Sequence, residues 1–430
     1  MAKISVEIKS KDMIKPFSET PNHLKTLQLS LIDQFAPPVH PPCILFYQTK
    51  LTHNINSETT TLLKNSLSET LVQFYPLAGR IQGNLSINCN DEGVEYYEAD
   101  VLQSLAEVIA NPDPEELIRL LPFPPLNTNK SIVTAVQVNH FSCGGMAISI
   151  SISHKIADAA TSAAFINAWA LTARGVSSID QTKLVSFDTA SFFPPMDLDG
   201  IFGPVEAICR EKIVTRRFIF DKEKLNELKS QCDLQSPTTR MSVVSAFIWK
   251  KLIKIAKAKS TPVKIFGALQ FVNLRTIKNS PIPQNYCGNL FQSTLARTSV
   301  EPEIESAEAV NKLRTAVKQI DTSYLPKIKT GECFRESAKF NEMVCRGEAE
   351  SCAFSSWIRY PLYEINFGWG KPIWVSTTTL PFKNMVCLLP TKSGEGIEAW
   401  MNVLEHDFHL LEQDHEFRSL VLHNNIRAKL

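Results

Sequence analysis

The sequence lacks long apolar runs, a surplus of either charge and paired cysteines. Nothing in its 430 residues approaches the ~18 consecutive apolar residues of a membrane-spanning helix, and the start carries charges rather than a signal-peptide core. Lys and Arg total 45 against 44 Asp and Glu, which argues against a nucleic-acid binder or a polybasic membrane-surface protein. The ten cysteines contain no CxxC pair, and scattered thiols are typical of a reduced cytosolic protein. The sequence therefore predicts a soluble cytoplasmic protein without a metal site.

Several common catalytic motifs are also missing. The chain contains no GxxxxGK[ST], no GxGxxG that opens a helix, no GxSxG and no HExxH. These absences argue against nucleotide hydrolysis, dinucleotide redox chemistry, the usual serine hydrolysis and zinc proteolysis.

The elements that can be predicted are both helices and strands. Ile148, Ile150 and Ile152 alternate with serines, which indicates a strand, and a helix is predicted from Asp158 to Arg174. Prolines and glycines near 194–203 interrupt both patterns and predict a linker at about 195–215. We therefore predict an α/β protein of two domains, over 1–200 and 215–430.

His154 is the first candidate for chemistry. By the same alternation it continues the isoleucine face and emerges where the strand ends. Partial burial there favours neutral imidazole, a general base worth about 10²–10⁴-fold in rate. Asp158, four residues later, is better explained as the N-cap of the following helix than as a partner of the ring. The pattern HxxxD alone occurs readily by chance, so a structural role for His154 stays open.

Trp369 is the second candidate. Gly368 and Gly370 flank it and permit tight backbone turns, while an indole N–H can donate to a developing oxyanion. From composition alone, a packed aromatic residue in a turn is the better interpretation.

Together the two clusters resemble the HxxxD and DFGWG motifs of the plant BAHD acyl-CoA-dependent acyltransferases. His154–Asp158 matches the first and Asn366–Gly370 the second, at the spacing typical of the family. The nearest clade by these motifs acetylates alkaloid hydroxyls. Further family signatures lie along nearly the whole chain, at Leu29–Asp33, Phe74–Arg80, Cys143–Gly145, Phe271–Arg275, Gly288–Asn289 and Gly394–Trp400.

The resemblance implies a fold, a reaction and a set of partners. The fold would be chloramphenicol-acetyltransferase-like, with two similar-sized domains of mixed sheets flanked by helices, a solvent channel between them, and a crossover segment near 370–395 completing the first domain. His154 would deprotonate an acceptor hydroxyl for direct attack on an acyl-CoA thioester, and Trp369 would help to hold the oxyanion. Acyl-CoA, by preference acetyl-CoA, is then a co-substrate of a monomer that has no tightly bound cofactor, nucleic acid or membrane partner.

The resemblance also implies binding residues and exposes one departure. Residues expected near the coenzyme A arm are Thr239, Arg240, Ser242, Gly288, Asn289, Ser355 and Ser356. The family Asp at position 366, thought to pair with the equivalent of Arg275, is Asn366 here. A catalytically weak binding or scaffold paralogue, or a hydrolase using the same histidine, therefore stays open. Asn285–Leu290 matches the malonyl-transferring motif only in part, which favours acetyl without excluding malonyl or larger groups.

Overall fold

The computed structural model describes residues 3–48, 53–126, 131–176, 185–198, 208–209, 211–232, 238–259 and 263–421. The chain divides into two compact units, each drawn from three segments. The N-terminal unit holds Met1–Met196, Pro283–Leu290 and Tyr360–Thr378, and the C-terminal unit holds Asp197–Ile282, Phe291–Arg359 and Thr379–Leu430.

The N-terminal unit is built on a six-stranded mixed sheet. The strands of this unit, in both its large and its small sheet, are β1 (Val6–Ile14), β2 (Thr26–Gln28), β3 (Pro42–Tyr47), β4 (Arg80–Gln82), β5 (Ser86–Asn88), β6 (Val94–Val101), β7 (Thr134–Phe141), β8 (Met146–Ile152) and, much later in the chain, β13 (Trp374–Ser376). Its helices are α1 (Leu31–Phe35), α2 (His53–Gln73), α3 (Leu105–Ala110) and α4 (Ala159–Ala173). The large sheet runs β1-β6-β7-β8-β3-β13, with only β6 and β7 parallel, and β2-β5-β4 form a small second sheet.

The C-terminal unit repeats this plan with a second six-stranded mixed sheet. Its strands are β9 (Ile213–Phe220), β10 (Ile265–Asn273), β11 (Phe291–Ser299), β12 (Ala349–Ser356), β14 (Met385–Pro390) and β15 (Ile397–Leu404). Its helices are α5 (Lys222–Ser230), α6 (Arg240–Ala258), α7 (Ser306–Lys318), α8 (Leu325–Lys329), α9 (Glu332–Cys345), α10 (Glu405–Gln413) and α11 (His415–Val421). The order is β11-β10-β12-β14-β15-β9, with β12 parallel to both neighbours, and α6 is buried along most of its length in the core of this unit.

The predicted fold class of mixed sheets flanked by helices is confirmed. The predicted helix over 158–174 is α4, and the strand with alternating isoleucines is β8. The predicted linker at 195–215 falls partly on 199–207 and 210, outside the described residues, so it stays a prediction. Within the described part of the chain, no helix has the length and apolarity needed to cross a bilayer.

Candidate active site

His154 lies just beyond the end of strand β8, at the end of the large N-terminal sheet. All seven residues of β8 are buried, and the strand pairs with β7 on one side and β3 on the other. Beyond its end, the N–H of Ser153 donates to Val133 O at 2.7 Å and the N–H of His154 donates to Val39 O at 2.8 Å. The backbone of His154 is therefore fixed by the segment that precedes β3, although the residue itself lies outside the sheet.

The imidazole of His154 is bound to an amide from a distant segment. Its Nδ1 lies 3.1 Å from Oδ1 of Asn289, and Nδ2 of Asn289 donates to the backbone O of His154 at 2.7 Å. An amide oxygen only accepts, so Nδ1 carries the proton of the neutral ring and Nε2 keeps its lone pair.

The surroundings of the ring favour its neutral form. Burial lowers the pKa of His154, although a hydrogen bond to its own backbone, the charge of Asp158 and the bond to Asn289 act to raise it. The charge of Lys155 lowers this pKa further. A histidine with a pKa below its usual value is uncharged at neutral pH and available as a base.

Asp33, on α1, binds Asn289 on the side away from the His154 ring. Its Oδ1 accepts from Asn289 N at 3.0 Å and from Asn289 Nδ2 at 2.8 Å. Its Oδ2 accepts from the N and Oγ of Ser30, at 2.9 and 2.6 Å, and from Thr189 Oγ1 at 3.3 Å. The Asp33 residue is 1% exposed, and burial raises the pKa of its carboxyl against these hydrogen bonds. The sequence predicts no role for Asp33, although the residue ends the family signature Leu29–Asp33 and completes the Ser-x-x-Asp spacing of a capping box.

Asp158 is the N-cap of α4, the position predicted from the sequence. Its Oδ1 accepts from Thr161 N at 2.8 Å, and its Oδ2 accepts from Leu290 N at 3.1 Å. The Oγ1 of Thr161 in turn bonds both the N–H and the carbonyl of Gly288. Asp158 and Thr161 therefore tie the segment that carries Asn289 to the start of α4.

Asn366 organises the loop of the second motif. Its Oδ1 accepts from Gly368 N at 2.8 Å and from Gly370 N at 3.0 Å. Both glycines have positive φ angles, 124° and 113°, a conformation that a side chain would strain. The amide therefore supplies the acceptor that this tight loop requires.

Trp369 lies between those glycines, packed against aromatic rings. Its ring stacks on Phe367 at 5.6 Å between centroids and meets the edge of Tyr47 at 6.0 Å. Its Nε1 is buried and has no hydrogen-bond partner among the described residues. A buried N–H of this kind costs free energy until an acceptor reaches it.

The remaining predicted residues belong to the C-terminal unit. Thr239 is the N-cap of α6 and accepts from Ser242 N at 3.1 Å, while Arg240 in the same turn donates to Gly394 O. Ser355 and Ser356 end β12, and Arg275 follows β10, where its N–H donates to Asn273 Oδ1 at 3.0 Å. Their predicted roles toward coenzyme A and Asn366 stay predictions.

Comparison with known proteins gives the family. A family model described as "Transferase family" matches residues 4–418. Stemmadenine O-acetyltransferase of Catharanthus roseus is 40% identical, over 95% of this chain and 96% of that protein. Vinorine synthase of Rauvolfia serpentina is 37% identical, over 94% of this chain and 95% of that protein.

Solved structures agree with the fold. The crystal structure of vinorine synthase superposes with a TM-score of 0.84 at 36% identity, over 97% of this chain and 98% of that one. Fusarium graminearum TRI101, solved with coenzyme A and T-2 mycotoxin, has a TM-score of 0.72 over 92% and 99% of the two chains, and at 16% identity it supports the fold alone. With nearly its whole length matched, the chain belongs to the Transferase family, the BAHD acyltransferases.

Proposed function

We propose that this protein is an acyl-CoA-dependent O-acyltransferase that transfers an acetyl group to a hydroxyl of a plant specialised metabolite, by preference an alkaloid. The observation that carries the proposal is the hydrogen bond between Nδ1 of His154 and Oδ1 of Asn289, which puts the proton of the neutral ring on Nδ1 and its lone pair on Nε2. The acetyl donor and the alkaloid acceptor are supported by relatives named as an O-acetyltransferase and as vinorine synthase.

The reaction proceeds without an acyl-enzyme. Nε2 of His154 takes the hydroxyl proton while the acceptor oxygen attacks the thioester carbon, and the N–H of Trp369 donates to the resulting oxyanion. The C–S bond then breaks, the new ester remains, and the departing thiolate takes the proton from His154. Holding both reactants together supplies much of the acceleration, because thiolate is a good leaving group. The buried, unpartnered Nε1 of Trp369 supports its part in this scheme.

By the family resemblance, the residues that would contact coenzyme A are Thr239, Arg240, Ser242, Gly288, Asn289, Ser355 and Ser356. The enzyme would act as a monomer in the cytoplasm. Its ten free cysteines suit that reducing compartment. Light scattering after gel filtration and localisation of a fluorescent fusion test these two statements.

A thiol-release assay tests the reaction. The protein is incubated with acetyl-CoA, a thiol reagent and a panel of alkaloid alcohols, and the assay is repeated with His154→Ala and with the exposed His23→Ala as control. We expect acceptor-dependent thiol release that falls at least about 100-fold in His154→Ala and is unchanged in His23→Ala.

The other outcomes separate the alternatives. Release without an acceptor would indicate a hydrolase, and no release with any pair would indicate a binding protein. Asn366 is the residue that raised the second possibility, but its Oδ1 keeps both backbone bonds of the loop, which supports a working catalyst.

A further inference from the structure

The segment 283–290 connects His154 to a buried carboxylate that the reaction scheme does not use. Asp33, Asn289 and His154 all belong to the N-terminal unit. Building on the proposed function, we propose that Asp33 is a positioning residue: through the amide of Asn289 it determines which nitrogen of His154 carries the proton.

The first step of the argument concerns the orientation of the Asn289 amide. Its Nδ2 donates both to Oδ1 of Asp33, at 2.8 Å, and to the carbonyl of His154, at 2.7 Å. Both of these partners are acceptors, so Nδ2 must face them and Oδ1 must face the ring. A flipped amide would place N–H groups against Nδ1, which would then have to accept, and the proton would move to Nε2. In that tautomer the ring has no base to offer at Nε2.

The second step concerns the charge on Asp33. Each of its oxygens receives at least one N–H group, from Asn289 on one side and from Ser30 on the other, and N–H groups only donate. A carboxylate satisfies all of these donors, whereas an amide in its place would turn its own N–H groups toward at least one of them. Asp33 is therefore required as an acceptor on both sides, and Asn289 is the partner that it orients.

The charged groups around the ring give the expected direction of a pH effect. Asp158 raises the pKa of His154 and Lys155 lowers it. Lys155 Nζ is held by Gln34 O and Asn84 Oδ1, each at 2.8 Å, so its ammonium also lies beside α1. Removing the negative charge of Asp33 leaves the positive charge of the Lys155 ammonium less compensated. That positive charge disfavours the imidazolium form of His154, so the acid limb of the kcat/KM profile moves to lower pH.

The test compares Asp33→Asn with Glu107→Gln. Both replace the acid at the third position of a capping box in the N-terminal unit, and Glu107 contacts only Ser104 in the hydrogen bonds that the structure gives it. We expect Asp33→Asn to lower kcat by roughly tenfold or more, as wrong-tautomer variants of other histidine bases do, and to move the acid limb down by about 0.5 to 1 pH unit. Glu107→Gln should leave both the rate and the profile unchanged.

A second readout does not depend on turnover. Selective ¹⁵N labelling of histidine reports the tautomer of His154, assigned by the signal that is lost in His154→Ala. We expect an Nδ1-protonated ring in the wild type and a shift toward Nε2-protonated ring in Asp33→Asn. If Asp33→Asn does not fold, Asn289→Ala replaces it, because that variant keeps the capping box of α1 and removes the side-chain bonds that join Asp33 to His154.

The outcomes are distinguishable from those of the proposed function. A folded variant with the wild-type tautomer and an unmoved acid limb would overturn the role of Asp33, and so would an equal effect of Glu107→Gln. A wild type without turnover would refute the proposed acyl transfer, while the ¹⁵N spectra would still decide the role of Asp33.

Discussion

His40, two residues before β3 begins, is buried in its uncharged form. It is 3% exposed, its Nε2 lies 2.9 Å from Ile132 O, and its ring meets the edge of Phe123 at 5.1 Å. Burial lowers the pKa of His40 to about 4. An unfolded histidine titrates near 6.5, so the unfolded chain takes up a proton in the range between these two values. The stabilisation is therefore fully present above pH 6.5 and is lost as the pH falls toward 4.

We expect this residue alone to cost about 2 kcal/mol of unfolding free energy between pH 7 and pH 5. His40→Gln keeps a donor for Ile132 O but cannot become charged in this range, so it should lose about 2 kcal/mol less over the same interval. Urea unfolding of both proteins at the two pH values measures the difference. Equal losses would mean that His40 is not the group responsible.

Asn366→Asp tests the departure from the family motif. Asp at this position can accept the same bonds from Gly368 and Gly370, and a charged acceptor strengthens them by about 1 kcal/mol. We expect a higher melting temperature and a kcat within about twofold of the wild type, since His154 and Trp369 are untouched. Asn279→Asp, in an exposed turn, controls for the added charge. A large gain in rate would show that position 366 matters to the chemistry.

At the scale of elements, the start of α4 depends on one side chain that serves two segments. Asp158→Ala removes the cap of α4 and also the acceptor of Leu290 N. Asp221 caps α5 by accepting from Lys224 N at 2.9 Å and provides a matched comparison. We expect Asp221→Ala to cost about 1 kcal/mol and Asp158→Ala at least about 1 kcal/mol more, because a buried N–H is left unpaired. Chemical denaturation of the two variants measures this, and equal costs would contradict it.

Local patterns in the sequence were sufficient to predict several elements. The isoleucine–serine alternation predicted β8. The Asp before α4 and the Gly after it predicted both ends of that helix within a residue. The contact between Asn289 and His154 joins residues 135 apart, and that between Asp33 and Asn289 joins residues 256 apart. No periodicity carries such contacts, which arise only when β3, β8 and the 283–290 segment pack together. The position of His154 at the end of a buried strand could therefore be predicted from the sequence, and the groups that bind its ring could not.

At the scale of the whole molecule, the N-terminal unit is not contiguous in sequence. It needs β13, which pairs with β3, and the 283–290 segment, which supplies Asn289 and Leu290 to Asp33 and Asp158. We expect the fragment Met1–Met196 on its own to lack fixed tertiary structure, because it leaves an extra sheet edge and buried carboxylates without donors. A collapsed ¹H–¹⁵N spectrum and weak near-ultraviolet circular dichroism are the expected readouts. A well-dispersed spectrum would show that the first segment folds by itself.

This discontinuity sets the order of events at the ribosome. The last strand of the first sheet is translated about 180 residues after Met196, which at 5–20 residues per second is a delay of about 10 to 40 s. Throughout that interval the edge of β3 that pairs with β13 has no partner strand in the nascent chain. We therefore expect expression at lower temperature or with more chaperone to raise the yield of active protein, because both protect an unfinished sheet.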